Sequence, residues 1–317
     1  MDLYKIKNGS LEEINNESFD LEKDIQSLVE KNLETLFNLE FVSTEFTIGE
    51  FRLDTLCYDN DTNSFVIIEY KRGSSYSVID QGYSYMSTML NNKSDFILEY
   101  NERKDTTLKR DEIDWSQSRI IFISQSFNTY QKNSVNFKDV PFELWEIKKF
   151  SNNTISLNQH KSTSKESIKS IDNTGNTIIK NVNKQVQLYD ENHFTNNVDK
   201  KTLNIWNKLK EKLLEFDSVE LMFTKYYMKF VFNKTNLCEL KFRKSNMEIT
   251  VNRGLIYKDN KKTTTFFTWD DPKDLSSPSF WTWKNGTEGH IYKLKYNESN
   301  LDYVLFLLKQ KYDSRSS

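Results

Sequence analysis

Three short segments of this chain carry residue types that could do chemistry together: Arg52-Leu53-Asp54, then Glu69-Tyr70-Lys71, then Gln81. Glu69 follows Asp54 by fifteen residues and Gln81 follows Lys71 by ten. Two carboxylates form a natural site for a hard divalent cation, which takes oxygen ligands and keeps several waters. A lysine beside them can offset negative charge on a phosphate. The chemistry this suggests is phosphodiester hydrolysis.

The elements around these residues are expected to bring them together. Strands are expected at about 43–48, 51–58 and 64–71, with Asp59-Asn60-Asp61 marking the turn between the last two. Phe65-Val66-Ile67-Ile68 is apolar on both faces, as in a strand covered on each side. Alternation then sets Glu69 and Lys71 on the face of Phe65 and Ile67, and pairing through the turn brings Asp54 near Glu69. Upstream, Asp20 can cap a helix from Leu21 to Phe37, with Ile25, Val29, Leu33 and Leu36 at helical spacing. Glu22 and Gln26 fall on that apolar stripe, so Glu22 is expected to face the sheet, where a carboxylate needs a partner. Taken singly, each charge has a plainer reading. Glu69 and Lys71 could be a surface ion pair, Glu22 a first-turn acid favoured by the helix dipole, and Asp54 a partner of Arg52. Taken jointly, the set favours a site.

Further along, a helix is expected from Val78 to Leu90, and strands at Asp95–Tyr100, Arg119–Ser124 and Phe142–Lys148. The result is a mixed α/β sheet over residues 1–150. Residues 151–197 are rich in Asn, Ser, Thr and Lys and read as a polar linker, with short strands near Thr177–Val182 and Lys184–Leu188. Residues 198–317 read as a smaller α+β domain. A helix from Asp199 to Phe216 opens it, antiparallel strands follow, and a helix from Leu301 to about Tyr312 closes it.

The net charge of −2 hides an asymmetry: 17 Lys and Arg against 27 Asp and Glu in residues 1–150, but 27 against 19 in residues 151–317. A basic second half suits phosphate attraction. Within it, Phe280-Trp281-Thr282-Trp283-Lys284 could stack on bases, although such aromatics more often plug a core edge. Hydrophobic residues make up 37% and aromatics 14%, which supports folded domains. No apolar run is long enough to span a membrane and the first residues lack a signal-peptide pattern, so a cytoplasmic location without membrane partners is expected. Cys57 and Cys238 support neither a disulfide framework nor a thiolate metal site, and His160, His193 and His290 lack ligand spacing.

The ordered set of Glu22 on a helix, Arg52-Leu53-Asp54, Glu69-Tyr70-Lys71 and Gln81-Gly82-Tyr83-Ser84-Tyr85 resembles the PD-(D/E)xK, or restriction-endonuclease-like, nuclease superfamily. Its spacings are similar to those of the mismatch-cutting NucS/EndoMS type. The likeness covers roughly residues 20–150, and Leu53 stands where the name-giving proline would be. The second domain resembles an uncharacterised module found after such nuclease domains. The resemblance implies that Asp54 and Glu69 hold Mg²⁺, with Mn²⁺ able to substitute and the Tyr70 carbonyl as a further ligand. Lys71 would orient or activate the attacking water, Glu22 would bind a metal-bound water or second ion, and Gln81 would steady Lys71 or touch the backbone at the scissile phosphate. Arg52, Arg72 and Lys93 are weaker candidates for nucleic-acid contact. The implied activity is that of an endonuclease on DNA, in defence against foreign DNA or in repair, with a homodimer as a candidate assembly. The alternatives are an RNA-directed nuclease and a non-catalytic nucleic-acid-binding protein on a nuclease fold.

Overall fold

The computed structural model describes residues 2–71, 77–168, 177–282, 286–294, 296 and 298–316. Arg72, Trp283 and Lys284 lie outside the described residues. The chain divides into two units, Met1–Leu188 and Tyr189–Ser317.

The first unit opens with a hairpin, β1 (Leu3–Lys7) and β2 (Ser10–Ile14), and a short strand β3 (Asn16–Glu17). Two helices follow, α1 (Glu22–Glu30) and α2 (Leu33–Phe37), then β4 (Glu40–Ile48), β5 (Phe51–Asp59) and β6 (Ser64–Lys71). The continuous helix expected over Leu21 to Phe37 is therefore two. Its N-cap position is Leu21 rather than Asp20, and Asp24 closes the first turn by accepting the Leu21 N–H at 3.1 Å. Next come α3 (Val78–Asn91), α4 (Lys93–Lys104), β7 (Arg119–Ser124), α5 (Thr129–Ser134), β8 (Phe142–Phe150), β9 (Ile155–His160) and α6 (Thr177–Gln185).

The strands form one mixed sheet in the order β3-β8-β7-β6-β5-β4, with β9 on β8. β6, β7 and β8 run parallel, while β4, β5 and β6 are antiparallel. Helices cover both faces. Leu53, Phe65, Ile67, Met86, Phe96 and Phe122 share one core cluster, and Ile25, Val29, Val66, Ile68 and Ile121 share another on the opposite face. Strand β6, central to the sheet, is buried along its length up to Lys71, because its residues alternate between the two cores. Each fully buried aliphatic side chain contributes about 1.5–3 kcal/mol here.

Two local expectations fail. Asp95–Tyr100 is helix rather than strand: Phe96 and Tyr100, four apart, are its buried residues, and Glu99 pairs with Arg103 one turn on. The polar stretch after residue 150 is also more than a connection. Strand β9 extends the sheet, and a helix, α6, replaces the short strands expected there; Ile168, Val182 and Val186 join the first unit's core. A few well-spaced apolar residues suffice to seat these elements.

The second unit holds α7 (Glu191–Thr195), α8 (Lys200–Leu214), strands β10 (Val219–Phe223), β11 (Met228–Phe232), β12 (Thr235–Arg243), β13 (Asn246–Ile256), β14 (Ser276–Thr282) and β15 (Glu288–Leu294), and α9 (Leu301–Ser316). Its sheet, in the order β10-β11-β12-β13-β15-β14, is antiparallel throughout. Trp206, Leu209 and Leu213 of α8 and Val304, Leu307 and Leu308 of α9 share a core with Phe230, Leu240, Ile249 and Val251. Among the described residues no helix is long and apolar enough to cross a membrane.

Candidate active site

The β5–β6 ladder ends at the pair Thr55 and Ile68. One step beyond it, the Tyr70 N–H donates to Asp54 Oδ2 at 3.0 Å instead of to a strand carbonyl. A side chain thus takes the place of the ladder, the strands part, and the carboxylates of Asp54 and Glu69 face each other across the fork. Glu69 lies on the face of Phe65 and Ile67, as alternation requires.

The two oxygens of Glu69 have opposite surroundings. Oε1 accepts from Lys71 Nζ at 2.9 Å and from Gln81 Nε2 at 2.7 Å, with the Tyr85 hydroxyl at 3.4 Å. Oε2 is buried and has no hydrogen-bond partner. Burial is the first cause that pushes the Glu69 carboxyl up to about 7, the nearby Asp54 charge adds to it, and Lys71 opposes both. Asp54 is also raised, first by burial and further by Glu22, against the Tyr70 N–H, Lys71 and a side-chain hydrogen bond with Glu69. The Asp54 charge raises Glu69 while a side-chain hydrogen bond with Glu69 lowers Asp54, so the two buried acids compete for one proton, and a site of that kind gains from a cation that replaces it.

Helices on both faces hold this geometry. Ser77 caps α3 by accepting from the Asp80 N–H, and four residues on Gln81 reaches both Glu69 and the Tyr85 hydroxyl, the latter at 2.9 Å. Gly82 lets α3 press onto β8: a Cβ there would sit 2.7 Å from Phe142 Cζ. From the other face, Gln26 of α1 donates through Nε2 to the Asp54 carbonyl at 2.9 Å, and also reaches Thr44 and Glu30. The Thr55 hydroxyl donates to Glu30 at 2.7 Å.

Asp54, Glu69, Lys71 and Gln81 are thus brought together, with the Tyr70 backbone beside them. Glu22 is exposed in the first turn of α1 rather than turned to the sheet, where Ile25, Gln26 and Val29 point instead; it reaches the cluster through its charge on Asp54. Among the described residues, no group of three or more His, Cys, Asp and Glu side chains is placed to hold a metal ion. Asp54 and Glu69 are a pair of carboxylates that act on each other. Arg52 is exposed, 4.0 Å from Glu45, and only its carbonyl faces the cluster, 3.5 Å from the Tyr85 hydroxyl. Lys93 lies twelve residues past Gln81, beyond the other end of α3, and donates to Gln185 at 3.1 Å beside Trp115. The sequence alone assigns no role to Gln26 or Tyr85. A glutamine on an apolar helical stripe was the signal for the first; nothing in the sequence announces where the second sends its hydroxyl.

No family model matches the chain. An uncharacterised protein of Haemophilus influenzae is 38% identical over 316 residues, 98% of this chain and 99% of the relative. The chain belongs to that protein's family. Two solved structures align with part of the chain, each at a TM-score of 0.24. A repair endonuclease from Pyrococcus abyssi is 16% identical, over 42% of this chain and 49% of its own length. EndoMS, solved with double-stranded DNA, is 18% identical, over 41% and 47%. The chain spans about half the length of either. Similarity at that level leaves the functional assignment to the side chains themselves.

Proposed function

We propose that this chain is a Mg²⁺-dependent endonuclease of the PD-(D/E)xK type, with DNA as substrate. The observation that carries the reading is the buried, unpartnered Oε2 of Glu69 facing Asp54 in the strand fork. Hard oxygen donors suit Mg²⁺, which needs few protein ligands when phosphate and water complete its shell. Asp54 and Glu69 would hold it, with the Tyr70 carbonyl as a third donor and Mn²⁺ able to substitute. Bound there, the ion would supply Lewis-acid stabilisation of phosphoryl charge and a more acidic water. Lys71 adds a positive charge beside the reacting phosphate, and Gln81 and Tyr85 hold Glu69 so that Oε2 stays turned into the fork. Glu22, exposed at the rim, would orient a water of the hydrated ion. Arg52 would contact the nucleic-acid backbone at the same rim; the same role is proposed for Arg72, whereas Lys93 would serve a more distant stretch of strand. The second unit would choose targets or assemble the protein, with a homodimer supplying two sites for two strands and defence against foreign DNA as the biological use.

The test is incubation of the full-length protein with plasmid, single-stranded DNA and RNA, each with Mg²⁺ or EDTA. Endonucleolytic cutting of DNA in Mg²⁺, abolished by EDTA, is expected. Cutting confined to RNA would replace the substrate, and metal-independent binding without cleavage would replace the activity.

A further inference from the structure

Strand β4 carries a backbone conformation that its residue type disfavours. Glu45 has a φ of 50°, in the left-handed region, where an L side chain crowds the following carbonyl oxygen. Among the described non-glycine residues with positive φ it is the one inside a strand; the others, mostly Asn and Asp, lie between elements. A strained residue persists only where its surroundings hold it, and such residues cluster at functional sites.

Glu45 stands across from Asp54. Strands β4 and β5 pair Thr44 with Thr55 and Phe46 with Leu53, and the pair between them, Glu45 with Asp54, drops out of the ladder. The two flanking pairs face opposite ways. Thr44 accepts from Gln26 and Thr55 donates to Glu30, both on α1, whereas Phe46 and Leu53 pack in the core on the α3 side. Residues two apart in a strand ordinarily share a face, so both strands change face at Glu45 and Asp54. The Asp54 backbone is thereby released from its neighbour: its carbonyl takes Gln26 Nε2, and its carboxylate takes the Tyr70 N–H. At the rim the Glu45 carboxylate lies 3.1 Å from Lys23 of α1 and 4.0 Å from Arg52 of β5. The strained residue is thus tied to the helix that supplies Gln26 and to the strand that supplies Asp54.

We propose that Glu45 is a positioning residue for Asp54: its left-handed backbone breaks the β4–β5 ladder at this pair and frees the Asp54 carboxylate to enter the fork opposite Glu69. The role of Asp54 in cleavage rests on the nuclease reading; the link between residues 45 and 54 does not.

The test compares Glu45→Gly with Glu45→Val in the full-length protein. Both lose the carboxylate, but glycine takes positive φ freely and a β-branched residue resists it. In an ordinary strand valine is the better residue. Here the order should reverse, with a higher urea midpoint in EDTA for Glu45→Gly than for Glu45→Val. The gap should narrow when each is combined with Asp54→Ala, because no carboxylate is then left for the turn to place. With plasmid and Mg²⁺, Glu45→Val should show a kcat about tenfold or more below that of Glu45→Gly and a KM within about twofold of it, the mark of a misplaced reacting group rather than lost binding. If Glu45→Val does not fold, Glu45→Ala, which resists positive φ less, takes its place in each comparison. A valine midpoint at or above that of glycine, or a gap that Asp54→Ala leaves unchanged, overturns the proposal, as does equal cutting by the two folded variants. A gap that narrows while wild type cuts nothing keeps the link and removes the nuclease reading, whereas cutting by wild type with an unchanged gap does the reverse.

Discussion

Glu69 carries the clearest tension in the molecule, between an oxygen crowded by donors and an oxygen with none. Its carboxyl titrates near 4.5 in an unfolded chain and is pushed up to about 7 in the fold. Without a metal the folded state therefore keeps a proton that the unfolded state has lost, and stability falls as pH rises from about 4.5 through 7. Glu69→Gln removes this cost. In EDTA the variant should be more stable than wild type by roughly 1–3 kcal/mol at pH 8, with the difference vanishing towards pH 4. Urea unfolding at the two pH values checks it, and a difference that grows on acidification contradicts it. The four grouped side chains were legible in sequence because an apolar strand turns charged at its end. Glu22 is exposed rather than turned to the sheet because it stands in the first turn of α1, where the buried residues begin only at Ile25.

At the scale of elements, α1 and α3 position the site from opposite faces. Gly82 is where α3 meets Phe142, so Gly82→Ala should cost about 1–3 kcal/mol through overpacking and should move Gln81 away from Glu69. Denaturant unfolding and nuclease rate, measured on the same variant, are both expected to fall; an unchanged stability would show that Phe142 simply moves aside. Gln26→Leu tests α1. It leaves the Asp54 carbonyl without its Gln26 donor, with an expected cost of about 1–3 kcal/mol and a loss of activity even though residue 26 lies outside the fork. The strands that deliver Asp54 and Glu69 were readable from alternation and turn residues. Helix α4 was not, since Phe96-Ile97-Leu98 has strand composition while only Phe96 and Tyr100 are buried. Helix α6 was hidden by the polar residues around Val182 and Val186, and β14 by Pro278 and its runs of serine.

At the scale of the whole molecule there are two units with separate cores, and each has a charged group whose burial must be offset. In the second unit this is Lys311 of α9, buried, donating to the Asn252 carbonyl at 2.9 Å with Nζ 4.4 Å from the centre of the Phe267 ring. Burial, and secondarily Arg315, pulls it down to about 7 from 10.5. Between those values the unfolded chain binds the proton that the folded chain has lost, so stability should rise with pH from about 7 to 10. Lys311→Met should flatten that slope, as thermal unfolding of the full chain at pH 7 and 9.5 would show; an equal slope in the variant contradicts it. The separate units could be read from the charge asymmetry and the second helix-and-strand pattern. Where the first ends could not, because β9 and α6 belong to it despite their composition. The central claim is that Asp54 and Glu69 together make phosphodiester cleavage depend on a divalent ion, and it is tested most directly by plasmid cutting in Mg²⁺ by wild type and Asp54→Ala side by side. Expected is cutting by wild type that EDTA stops, and a rate at least ~10²-fold lower in Asp54→Ala; equal cutting by the purified variant, or wild-type cutting that survives EDTA, contradicts it.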